Sequence, residues 1–139
     1  MKSVFADADY WVALLNPQEE LNEKAKRVST RLHPLRIVTS EMVLVEVLNV
    51  MGSRGEAIRS KACEAIRRLR ENPNVTVAPQ TSVQFSEALA FYCGHRDQEW
   101  SQTDCASFQI MREIGLIEAL TYDHHFQQAG FVALLRGSD

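Results

Sequence analysis

Residues 2–11 read KSVFADADYW, an apolar run at 3–6 that ends on two carboxylates, Asp7 and Asp9, with one small residue between them. The run is just long enough for a buried strand. Carboxylates at the exit of such a strand repel each other and must stay hydrated or find a partner. Either they cap a turn, or they hold something positive.

Outward from this stretch, short apolar runs alternate with longer amphipathic ones. RIVT at 36–39, NVTV at 74–77 and IEALT at 117–121 read as further strands, with FVALL at 131–135 as a fifth. Helical signals fill the gaps. Asn16-Pro17 is expected to open a helix, with Asn as cap and Glu19 and Glu20 in its first turn, and Leu21, Ala25, Val28 and Leu32 as the apolar stripe. Residues 56–71 carry Ile58, Ala62, Ile66 and Leu69 at helical spacing. Thr81 with Gln84, and Ser101 with Asp104, are capping-box patterns, the second opening a helix that Gly115 ends. EMVLVEVLNVM at 41–51 has strand-like valines at 43, 45 and 47. Ser40 is a good cap, however, and eleven residues is long for a strand, so a helix is expected. Strands alternating with helices imply an α/β fold: a three-layer α/β/α sandwich around a mainly parallel sheet of four to five strands. With no repeat or long linker, residues 1–139 read as a single domain.

In such folds ligands bind outside the carboxyl ends of the strands. Asp7 follows the first strand and Asp123 follows the fourth in the same way, while Asp104 lies in the first turn of its helix. Glu46 is a lone acid in an apolar stretch, costly to bury without a partner. Each acid has a plainer reading: Asp104 as a helix cap, Asp7 and Asp9 as the start of the next helix, Asp123 as a turn residue, Glu46 as a surface residue. Those readings together leave unexplained why two strand exits both carry Asp. Four carboxylates sharing a pocket need cations, because their repulsion would otherwise raise some of their pKa values. An all-oxygen set points to Mg²⁺ or Mn²⁺ rather than Zn²⁺.

The quoted segments extend to VFADADYWVALLN, TSEMVLVEVLN, WSQTDCASF and LTYDHHF, which in this order and spacing resemble the PIN-domain nucleases over most of the chain. The resemblance implies a metal-dependent endoribonuclease, usually acting on single-stranded RNA, with structured RNA also open to it. Its catalytic and metal-binding acids correspond to Asp7, Glu46, Asp104 and Asp123, and its accessory hydroxyls to Thr103 and Ser107. Many small stand-alone members are toxins of the VapC type, restrained by an antitoxin protein, and many form homodimers. Position 9 is often a small polar residue in relatives, so Asp9 is a departure with an accessory role.

Net charge is −3, which excludes coating nucleic acid by bulk positive potential. Set the four acids aside and the fifteen basic residues outnumber the remaining acidic ones by one, so the rest of the protein need not repel a polyanion. Arg54, Arg59, Lys61, Arg67, Arg68 and Arg70 cluster, either as a solvated helix face or as a phosphate footprint in which Arg67 and Arg70 bind substrate. Arg96 and Trp100, before the third acid, are candidates to contact phosphates or unstacked bases, with core packing the competing role for Trp100. His124 and His125 read as turn or surface residues. Cys63, Cys93 and Cys105 form no CxxC pair and are expected to be buried, reduced thiols. No run is long enough to span a bilayer and no secretory layout is present, so no membrane contact and a cytoplasmic location are expected.

Two other readings compete. VFADAD also fits the strand-then-DxD start of haloacid-dehalogenase-like phosphatases, but the last lysine is Lys61, too early for that family's later Lys. A PIN fold retained as a non-catalytic RNA-binding or assembly module is the second.

Overall fold

The computed structural model describes residues 1–138. Its elements run β1 (Lys2–Ala6), α1 (Ala8–Leu15), α2 (Asn22–Leu32), β2 (Leu35–Ser40), α3 (Glu41–Gly52), α4 (Glu56–Glu71), β3 (Val75–Ala78), α5 (Ser82–Gly94), α6 (Gln102–Ile114), β4 (Glu118–Leu120), α7 (His124–Gln128) and β5 (Val132–Ala133). All five strands pair in parallel, in the order β3-β2-β1-β4-β5. Helices α1 to α4 pack among themselves and α5 pairs with α6, giving the expected three layers. The central strand β1 buries Val4, Phe5 and Ala6 completely, so it reads as an uninterrupted apolar run.

Local chemistry explains the elements that frame the strand exits. Ser40 Oγ accepts from Val43 N at 3.1 Å, starting α3 as a helix despite its alternating valines. Burial of Val43, Leu44, Val47 and Met51 then gives that helix its packed face. Both halves of the Ser101–Asp104 capping box are made, and Gly115 ends α6 at φ 76°, where a side chain would be strained. Thr81 caps α5 by accepting from Gln84 N.

Three expectations fail locally. Asn16 does not open α2. It closes α1 instead, its Oδ1 accepting from Gln18 N at 3.1 Å and its carbonyl from Glu19 N at 3.0 Å. The chain turns through Pro17 to Leu21, and α2 starts at Asn22, whose side chain donates to Ala13 O at 2.7 Å. FVALL makes only two strand residues before a 3-10 turn at Leu134–Arg136. The cysteines are free, but Cys105 alone is buried. Cys63 and Cys93 are exposed on the outer faces of α4 and α5.

Candidate metal centre

The strand order reverses between β1 and β4, and such a switch point opens a crevice at the carboxyl edge of a parallel sheet. Both strand exits lead into it. Asp7 N still donates to Leu120 O at 3.1 Å, prolonging the ladder by one residue. Thr39 Oγ1 fixes the same exit from the other side, donating to Ala6 O at 2.8 Å and accepting from Trp11 Nε1 at 3.3 Å. Helix α6 runs back along the sheet, so its N-terminus brings Asp104 to the same edge.

The outcome is a cluster. Asp7, Asp104 and Asp123 each offer a carboxylate oxygen within 4.8 Å of the others. Asp7 occupies the cap position of α1, yet its side chain makes no cap bond; Oδ2 accepts from Thr121 Oγ1 at 3.0 Å. Asp104 serves two roles, its Oδ2 accepting from Ser101 N at 3.1 Å and lying 3.0 Å from His125 Nδ1. Asp123 Oδ1 caps α7 through His125 N at 2.9 Å and lies 3.3 Å from His125 Nδ1. Glu46 stands outside the 4.8 Å group. It is half-buried, its carboxylate bonded by Thr103 and within electrostatic reach of Asp104 and Asp123. Ser107 Oγ, one turn along α6 from Asp104, is buried and has no hydrogen-bond partner among the described residues.

Asp9 is built differently. Its Oδ2 accepts from Tyr122 N at 2.8 Å, with Thr121 Oγ1 at 3.3 Å, while its Oδ1 is buried without a partner. The second acid of the DAD stretch therefore braces the chain leaving β4.

Electrostatics separate a cation site from a set of caps. Burial, then the neighbouring Asp9 and Asp104 charges, hold the Asp7 carboxyl well above its usual range. Burial pushes Asp9 up to about 6. It also raises Asp104, with the Asp123 charge adding to the effect and the Ser101 and His125 contacts opposing it. Burial raises Glu46, again with Asp104 and Asp123 contributing and the Thr103 bond opposing. Capping alone has the opposite effect, because a carboxylate that accepts backbone N–H bonds is favoured in its charged form. A compact, buried, oxygen-rich set of this kind fits a hard divalent cation. The adjacent Cys105 thiol is pushed up to about 11 by burial and the Asp104 charge, and it lies outside the group of three carboxylates.

Several residues lie elsewhere. Trp100 is 8% exposed; Phe91 stacks parallel to it at 5.9 Å, and its Nε1 donates to Gln128 Oε1 at 3.1 Å. Of the two roles open to Trp100, this arrangement is the packing one: its ring sits in the aromatic cluster with Phe108 and His95. Arg96, Arg67 and Arg70 are exposed and outside the acid cluster. Two residues outside the candidate set belong to the cluster. His125 is no surface residue, since its ring is 18% exposed and bridges Asp104 and Asp123. Thr121 links the two strand exits.

A family model of the PIN domain matches residues 4–132. The 23S rRNA-specific endonuclease VapC20 of Mycobacterium tuberculosis is 30% identical over 129 residues, covering 93% of this chain and 95% of that protein. The crystal structure of VapC20, described as a sarcin-ricin loop cleaving toxin, superposes with a TM-score of 0.83 at 29% identity, covering 93% of this chain and 96% of that one. FitAcB from Neisseria gonorrhoeae shares the fold at a TM-score of 0.63 and 17% identity, covering 96% and 95% of the two chains. The family match over nearly the full length and the shared fold leave no room for the phosphatase reading: the chain belongs to the PIN-domain family.

Proposed function

We propose that this protein is a divalent-cation-dependent endoribonuclease of the VapC toxin kind, with Asp7, Asp104 and Asp123 as its inner acids. The observation that carries the proposal is the convergence of those three carboxylates, from distant parts of the chain, within 4.8 Å at the switch point. Glu46 completes the set through Thr103 on the side of α3, and Ser107 offers an unspent hydroxyl beside Asp104. A Mg²⁺ or Mn²⁺ ion held there would neutralise charge on the scissile phosphate and activate water for in-line attack. The protein's part is to orient. Thr121 and Ser101 hold oxygens of Asp7 and Asp104, His125 spans Asp104 and Asp123, and Asp9 braces the loop between β4 and α7.

The relative VapC20 is named for 23S rRNA, so a ribosomal hairpin loop is the first structured substrate to try, beside an unstructured single strand. An antitoxin partner and a homodimer accompany the proposal through the family resemblance. The test is incubation of the purified protein with labelled RNA of both kinds in Mg²⁺, in Mn²⁺ and in EDTA, with a phosphomonoester as control. Cleavage of RNA that EDTA abolishes, with the phosphomonoester intact, supports the proposal. RNA binding without cleavage in either metal would instead mark a non-catalytic PIN module.

A further inference from the structure

Thr121 is completely buried at the first position beyond β4, and its hydroxyl reaches every element of the strand-exit pair. It lies 3.0 Å from Asp7 Oδ2 and 3.3 Å from Asp9 Oδ2, and it accepts from Asp123 N at 3.1 Å. A hydroxyl has a single proton to donate. Asp9 Oδ2 is already bonded by Tyr122 N at 2.8 Å, so the shorter contact to Asp7 takes that proton. We propose that Thr121 is a positioning residue of the metal centre, locking Asp7 and Asp123 at the separation a divalent cation requires.

The geometry distinguishes this from an ordinary turn threonine. A turn needs only the local bond from Asp123 N to Thr121 Oγ1, two residues apart. The bond to Asp7 spans 114 positions and joins the two strands that flank the switch point. Two carboxylates that repel each other would drift apart when no ion is bound. A buried hydroxyl that donates to one and anchors the backbone of the other resists that drift at no cost in charge. Asp9 completes the brace by holding Tyr122 N, the residue between Thr121 and Asp123. Groups that orient ligands in this way affect metal affinity by about 10- to 100-fold when removed.

The inference rests on the cation-dependent reading above, and the experiment separates the two. Mn²⁺ is titrated calorimetrically into the wild type and into Thr121→Val, Thr121→Ala and Thr121→Ser, with thermal melts of each in EDTA. Thr121→Ala removes the hydroxyl without setting a methyl group against Asp7, so the test survives if Thr121→Val fails to fold. The expected result is a loss of Mn²⁺ affinity of about 10-fold in Val and Ala and of less than about 3-fold in Ser. The Mn²⁺ concentration for half-maximal cleavage should move with it, leaving the KM for RNA at saturating metal unchanged. Wild-type affinity in folded Val or Ala variants overturns the positioning role alone. A wild-type protein that binds no Mn²⁺ overturns the metal centre and this inference together.

Discussion

Asp7 and Asp9 stand two positions apart and are held for opposite ends. Asp7 gives one oxygen to Thr121 and shares the cluster with Asp104 and Asp123, whereas Asp9 is tied to the backbone of Tyr122. Asp7→Asn should therefore abolish RNA cleavage, by at least about 100-fold, as expected for loss of a group acting on developing charge. Asp9→Ser should keep activity and raise the Mn²⁺ requirement modestly. Activity titrated against Mn²⁺ decides this, and equal losses would make Asp9 a direct ligand. The raised pKa of Asp9, about 6, gives a further test. Between the ordinary carboxylate value near 4 and about 6, the native state holds a proton there that the unfolded chain has lost, so metal-free stability falls as pH rises through that window. Asp9→Asn should thus raise the melting temperature in EDTA above pH 6 or so and change it little near pH 4. A pH-independent difference would mean that the Asp9 charge carries no such cost. The aspartates were legible in the sequence because a carboxylate at a strand exit is a local pattern. Thr121 and His125 were not, since their partners lie 114 and 21 positions away.

At the scale of elements, α4 shows how a charged stretch divides. Ala62 and Leu69 are buried and Ile58 and Ile66 half-buried, so the predicted apolar stripe is the packed face. Arg54 and Arg68 are paired with Glu19 at 2.8 Å and Glu64 at 3.0 Å. Arg67 and Arg70 are exposed on the outer side. If they meet RNA phosphates, changing both to Gln should weaken binding across sequences. It should also make the salt dependence shallower by about one phosphate contact per charge, with turnover at saturating RNA unchanged. Affinities at several salt concentrations measure it, and overlapping titrations would return the pair to a solvated face. Helix starts were legible wherever a cap acts on its own helix, as at Ser40, Thr81 and Ser101. The start of α2 was misread because Asn16 and Pro17 carry the same cap signature. The side chain of Asn16 instead closes the turn after α1, while α2 starts at Asn22, whose side chain donates to Ala13 O. On α5, Phe85, Leu89 and Tyr92 keep more than two fifths of their surface exposed, and Ala88 is the buried residue of that helix.

Across the whole molecule, the parallel sheet makes one crevice out of the segments that carry Asp7, Glu46, Asp104 and Asp123. Alternating strands and helices made the layered architecture legible in advance. The sheet order, which places β4 beside β1, is a property of pairing that no single segment displays. Asp104 tests the combined picture best, because it comes from the third of those segments and is both a cap and a cluster member. Asn at this position can still accept from Ser101 N while removing one charge from a crowded site. The decisive measurement is RNA cleavage in Mn²⁺ by wild type and Asp104→Asn, with thermal melts of the same samples in EDTA. The expected result is a loss of cleavage of at least about 100-fold with a melting temperature that is unchanged or slightly higher. Cleavage within a few-fold of wild type would contradict the metal centre, and a sharp fall in melting temperature would reduce Asp104 to a structural cap.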